Sequence, residues 1–228
     1  MMPIGDDNSG RRSTPVVTYA LVALNILVFG LEYLLGDAFI VEWAFVPARF
    51  VQNPIWESTT IFSAMFMHAG LMHLAGNMLY LWIFGDNVED NFGSIKFLVF
   101  YLLSGIGATV LQFVFNPASN IPNLGASGAI AGVLGAYLVM FPGRRINVLL
   151  GRFITQMNAL IVIGFWFVLQ LFSGLGSLDP GAADTGGVAY MAHIGGFIAG
   201  LLLSFIFRDR QRLRELTPPQ NRGRYIGY

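Results

Sequence analysis

The chain has 228 residues, of which 55% are apolar and only 11% charged, against about a quarter charged in an ordinary soluble domain. Its mean hydropathy of +0.62 therefore excludes a soluble globular protein and points to a single polytopic bundle with the bilayer as solvent. Thirteen basic residues balance thirteen acidic ones, so no net positive field argues for nucleic acid, and zero cysteines exclude disulfides, zinc-thiolate centres, iron-sulfur clusters and thiol catalysis.

Because a charge at mid-membrane costs at least a few kcal/mol, charge-free runs mark what can lie in lipid. Five such runs occur, at 13–31, 58–85, 97–143, 153–178 and 185–207. The third is more than twice the roughly 20 residues one crossing needs and is interrupted by the turn-forming stretch from Asn116 to Asn123, so it holds two helices. The expected fold is all-α, with six spans at about 15–35, 70–88, 94–115, 127–142, 153–173 and 188–207.

Residues 1–14 form the segment before the first span, 15–207 the six-span unit, and 208–228 a basic tail. The first span follows Arg11-Arg12, and its apolar part is longer than a signal-peptide core, so it reads as a retained helix. The loop 36–66 carries Trp43, Trp56 and several Phe. It is too apolar for a solvated linker and reads as short interfacial helices or plain packing. The Gly-rich loop 174–187 should be mobile, and the tail with Pro218-Pro219 should be disordered or lie on anionic lipid. Six spans place twelve of the thirteen basic residues on one side and only Arg49 on the other, so both termini are expected in the cytosol.

All three histidines, His68, His73 and His193, fall in charge-free runs, where polar side chains are costly. Either they make helix–helix hydrogen bonds or they carry chemistry. Counting 1.5 Å per residue from the nearest charge on the cytosolic side (Arg208, Arg144 and Asp86), His193, Ser127 and His73 lie about 22, 25 and 20 Å up three different spans. Three polar groups thus share one level, several ångströms inside the far boundary of a core about 30 Å thick.

Ser127, in Gly125-Ala126-Ser127-Gly128, has a bland reading as an N-cap hydroxyl before a small-residue face, Gly128 and Gly132. It also has free backbone N–H groups beside it, where an oxyanion would be stabilised. His193 precedes a second small-residue step, Gly196 and Gly200, which lets spans 4 and 6 approach closely. An imidazole is the usual base that activates a serine, so the two read as a Ser-His dyad with no third carboxylate at that depth. His73 and Asn77 are i and i+4 on span 2 and both can donate, as an oxyanion site requires. His68 reads as a structural tie between the loop and the bundle.

Other intramembrane chemistries fit less well. A zinc protease needs two His and a Glu on one helical face, whereas His68 and His73 are five apart with no Glu between them. An aspartyl protease needs two carboxylates at one depth, but Asp86, Glu89 and Asp90 cluster at one end of one span. A solute transporter would show paired broken helices in matching halves, which the six spans lack.

Together these motifs resemble the rhomboid family of intramembrane serine proteases over roughly residues 15–207. The matches are Gly125-Ala126-Ser127-Gly128, Ala192-His193 followed by Gly196 and Gly200, His68 through His73 to Asn77, and the run from Asn77 to Asp90. The resemblance implies Ser127 as nucleophile and His193 as general base and acid. It further implies an oxyanion hole of His73, Asn77 and the Ser127 N–H; no cofactor or metal is expected. Span 5, with Phe165-Trp166-Phe167, and the loop after it would gate substrate access.

Two positions depart from the family's familiar pattern. Ala131 stands where many members stack an aromatic ring on the histidine, so histidine orientation must rely on other packing, and Trp56-Glu57 stands where many carry Trp-Arg. The expected protein is a multi-pass enzyme of a bacterial plasma membrane that cleaves transmembrane-helix substrates. The alternative is a catalytically silent rhomboid-like binder in quality control, and no oligomeric state follows from the sequence.

Overall fold

The computed structural model describes residues 1–8, 10–176 and 188–216. Most of the expected loop 174–187 and the tail beyond Leu216 lie outside the described residues. The described part of the tail is ordered where disorder was expected, in a short helix α10 (Arg210–Leu216).

The chain starts with a strand, β1 (Met2–Asp6), followed by α1 (Val16–Leu35). The loop that follows folds into three short helices, α2 (Asp37–Trp43), α3 (Pro47–Gln52) and α4 (Pro54–Ser63), and a 3-10 turn at Ala64–Phe66. Proline opens both α3 and α4, where its missing N–H costs nothing. Arg49 donates to the carbonyls of Val41 and Ala44 and pairs with Glu57 at 3.2 Å, so the acidic residue after Trp56 serves as an anchor of this loop.

The main helices are α5 (Leu71–Phe92), α6 (Ser94–Phe115), α7 (Ser127–Met140), α8 (Ala159–Gly176) and α9 (Tyr190–Phe207). Among the described residues four helices, α1, α6, α8 and α9, are long and apolar enough to cross a membrane. Helix α7 is only 14 residues long, about 21 Å by helix rise. Every residue from Gly128 to Tyr137 is buried, so α7 is the centre of the bundle and meets protein on all sides. Its small residues make this possible. A Cβ on Gly196 would sit 1.9 Å from the Gly128 carbonyl oxygen, and one on Gly200 2.1 Å from that of Gly132. The two glycine steps on α7 and α9 therefore interlock backbone against backbone, as their spacing predicts. Helix α6 joins in the same way, since a Cβ on Gly195 would lie 2.7 Å from the Gly107 carbonyl oxygen.

Helix α5 continues through Asp86, Glu89 and Asp90 to Phe92, beyond the predicted end at residue 88. The extension is possible because each buried carboxylate is supplied with donors. Glu89 accepts the Val17 and Thr18 N–H groups at 2.9 and 2.7 Å, so it caps the open start of α1, and it also accepts the Thr18 and Ser94 hydroxyls. Asp90 accepts from the Ser13 N–H and hydroxyl and from Arg212, and Asp86 pairs with Arg11 at 2.8 Å.

The expectation of an all-α chain is corrected at this same end. β1, β2 (Arg145–Leu150) and β3 (Phe153–Asn158) form an antiparallel sheet in the order β1-β2-β3. Leu150 pairs with Phe153 across a two-residue turn whose first residue, Gly151, has φ +57°, the conformation such a hairpin favours in glycine. Ile146 and Val148 alternate inward and are fully buried. The predicted fifth span therefore starts at Ala159, because residues 153–158 are paired as a strand. An open sheet leaves unpaired edge groups that lipid cannot satisfy, which places it outside the hydrocarbon layer.

Candidate active site

The site forms where the starts of α5, α7 and α9 meet. Helix α7 begins at Ser127 with Ala126 as its cap residue, so the N-cap reading of the Ser127 hydroxyl is replaced by a different geometry. The Ser127 Oγ lies 2.8 Å from His193 Nε2. The first N–H groups of α7, beginning with that of Ser127, have no intrahelical carbonyl to meet. The start of α9 is held by Gln112 of α6, whose Oε1 accepts the Ala192 N–H at 3.2 Å.

The strand-like approach to α7 is pinned by the Gly125 N–H, which donates to the Ala64 carbonyl at 2.8 Å. Gly125 has φ +132°, a conformation that disfavours any side chain, and its open side faces the site. A Cβ placed there would stand 3.1 Å from His73 Nε2 and 3.4 Å from Ser127 Oγ. His73 and Ser127 thus border one small space that only a glycine leaves open. Asn77, one turn along α5 from His73, is buried, and its Nδ2 has no hydrogen-bond partner among the described residues.

His68 lies in the segment entering α5 and is buried. Its backbone N–H donates to both carboxylate oxygens of Glu32 on α1 at 3.0 and 3.1 Å, and its ring meets that of His73 edge to face at 5.1 Å. It ties the loop to the bundle, as its position suggests, but through the main chain and through Glu32, a residue just beyond the first charge-free run. Among the described residues no group of three or more His, Asp, Glu or Cys stands where it could hold a metal ion.

His193 has a further partner that the sequence motifs do not announce. Gln170 of α8 places its Oε1 2.7 Å from His193 Nδ1, and Trp166, one turn earlier, lies 5.9 Å from the His193 ring centre. The signal was present: Gln170 is the one amide in an apolar helix, the same anomaly that singled out the histidines. Ala131 is fully buried on α7, so the ring contact to His193 comes from α8 instead.

The Rhomboid domain profile matches residues 55–210. The chain is 34% identical over 197 residues to the rhomboid protease GluP of Bacillus subtilis (strain 168), covering 83% of this chain and 34% of that protein. It is 30% identical to the mitochondrial rhomboid protein 1 of Saccharomyces cerevisiae over 92% of this chain and 58% of the relative. RHOMBOID-like protein 1 of Arabidopsis thaliana is 32% identical over 70% of this chain and 36% of its own length. The chain belongs to the rhomboid family, and with its apolar helices it is an integral membrane protein. It spans from a third to under three fifths of the length of these relatives.

Proposed function

We propose that this chain is an intramembrane serine endopeptidase that hydrolyses peptide bonds in or near transmembrane helices of other membrane proteins. The observation that carries the reading is the 2.8 Å approach of Ser127 Oγ to His193 Nε2, beside a space bordered by His73. His193 Nε2 takes the hydroxyl proton as Oγ attacks the scissile carbonyl carbon. The oxyanion accepts hydrogen bonds from His73, Asn77 and the Ser127 N–H. The imidazolium then protonates the leaving amine, and a water deprotonated by His193 releases the acyl group and restores Ser127.

The unit that does this is residues 15–207, crossing the membrane six times through α1, α5, α6, α7, α8 and α9, with residues 1–14 and the basic tail 208–228 in the cytosol. Supporting this topology, Arg11, Arg144 and Arg212, from three separate stretches, converge on the end of α5 through Asp86, Asn87 and Asp90. Arg49 belongs to the loop at the opposite, Ser127 end, where Phe45 bridges to Asn123. The membrane proposed for the chain is a bacterial plasma membrane.

Substrate bonds near the outer membrane boundary are within reach. A carbonyl inside an intact helix is engaged in its own hydrogen bond, so the substrate must unwind first. Gly or Pro near that level promotes unwinding by about 1 and 3 kcal/mol relative to Ala. The test is labelling of the purified chain with a fluorophosphonate, alongside mass spectrometry of products from a single-span substrate. Label on the wild type, none on Ser127→Ala, and cuts in the outer part of the span are expected. An unlabelled, inactive wild type would favour the silent binder.

A further inference from the structure

The two ring nitrogens of a neutral histidine have opposite roles, and the partner of one decides what the other can do. For Nε2 to accept the Ser127 proton, Nδ1 must carry the hydrogen, and an acceptor must face Nδ1. Gln170 Oε1 stands there at 2.7 Å. We infer that Gln170, supported by Trp166, is the positioning residue that holds His193 in the base-competent tautomer and ring orientation; this rests on the reading of Ser127 and His193 as nucleophile and base.

The placement is a property of α8. Trp166, Gln170 and Gly174 follow at successive turns on the face turned to α9, while Phe165, Val168, Leu169 and Phe172 are exposed on the other side. Gly174 completes the close approach, since a Cβ there would lie 2.9 Å from Ile194 Cδ1. Trp166 packs in turn on Phe197, 6.3 Å between ring centres, so its indole is held between His193 and the core. An amide in an apolar helix is costly unless paired, and the contact gives the Gln170 oxygen and His193 Nδ1 a partner in each other. Helix α7 offers His193 no ring, because Ala131 is a methyl group. Orientation of the base therefore depends on a different helix from the one that carries the nucleophile. An outward movement of α8 would withdraw the acceptor and the ring together, so the position of α8 sets whether His193 can act.

The test compares Gln170→Leu, Gln170→Glu and Ser127→Ala in the purified full chain, with kcat and KM measured across pH on one single-span substrate. Gln170→Leu should lower kcat by about 10–10²-fold with KM within about twofold. Gln170→Glu keeps an oxygen acceptor and should restore kcat. Its carboxylate favours the imidazolium, so the acidic limb of kcat/KM should move up by about one pH unit. Wild-type kcat in Gln170→Leu, or equal losses in both variants with the acidic limb unmoved, would overturn the inference. If Gln170→Leu fails to fold, the pH limb of Gln170→Glu still decides it. Undiminished cleavage by Ser127→Ala would instead sink the underlying protease reading.

Discussion

The two ends of the bundle use buried polar groups in opposite ways. At the end where α5 finishes, the carboxylates of α5 are supplied with donors from the elements they join: Glu89 gathers two backbone N–H groups and two hydroxyls, and Asp90 gathers Ser13 and Arg212. At the end where α7 begins, Asn77 Nδ2 has no partner among the described residues, and His73 faces the open side of Gly125. Donors on both oxygens turn a buried carboxylate of α5 into a fastener, because its charge is already met by the elements it joins. Donors left over at a glycine-lined space are suited to a group that arrives during reaction. The contrast holds within the Ser127 end as well, where Glu32 is committed to the His68 N–H and belongs with the fasteners.

Substitution should separate the two ends by what is lost. The largest effect is expected for Ser127→Ala or His193→Ala, each lowering kcat on the order of 10⁶-fold, with the double variant hardly worse because the pair acts as one unit. Thermal denaturation of both should match the wild type. His73→Ala and Asn77→Ala come next, at about 10²–10³-fold in kcat with little change in KM. A large stability loss in either would move that residue to the fastening class.

At the other end the signature reverses. Glu89→Ala leaves the Val17 and Thr18 N–H groups unpaired, and buried orphans cost about 1–3 kcal/mol each. Unfolding should become easier by about 3 kcal/mol, while kcat of the folded protein stays within about twofold. Normal stability in this variant would erase the distinction between the ends.

The smallest effect concerns Asp6, which accepts from Tyr137 and Asn87. Burial pushes its carboxyl up to about 6; the Tyr137 hydrogen bond and Arg144 oppose the rise, and Asp86 adds to it. Between about pH 4 and 6 the folded state keeps a proton that the unfolded chain has lost. Stability should therefore fall as pH rises through that window. Partial exposure screens the effect to about 1 kcal/mol, and Asp6→Asn should flatten the profile.

Much of this molecule was legible because lipid leaves few options. Charge-free runs found the long helices, and the paired glycine steps around Gly128 and Gly196 announced which of them touch. Depth counting put Ser127, His193 and His73 on one level, and the structure brings Ser127 and His193 within 2.8 Å. The hairpin at 145–158 was hidden because its second strand, 153–158, runs without a charge into α8, and hydropathy alone does not separate such a strand from a helix start. Gln170 was hidden for another reason. An amide among apolar residues signals that something pairs with it, but not which ring nitrogen on which helix.

The sequence by itself determined a membrane bundle, its principal helices and the shared level of its polar residues, since each follows from transfer cost and helix rise along one segment. Only the tertiary structure decided that Glu89 caps α1, that β1 returns to pair with β2, and that α8 supplies the partner of His193. Those contacts join residues distant in the chain, and their geometry depends on how closely whole helices pack, which no local pattern contains.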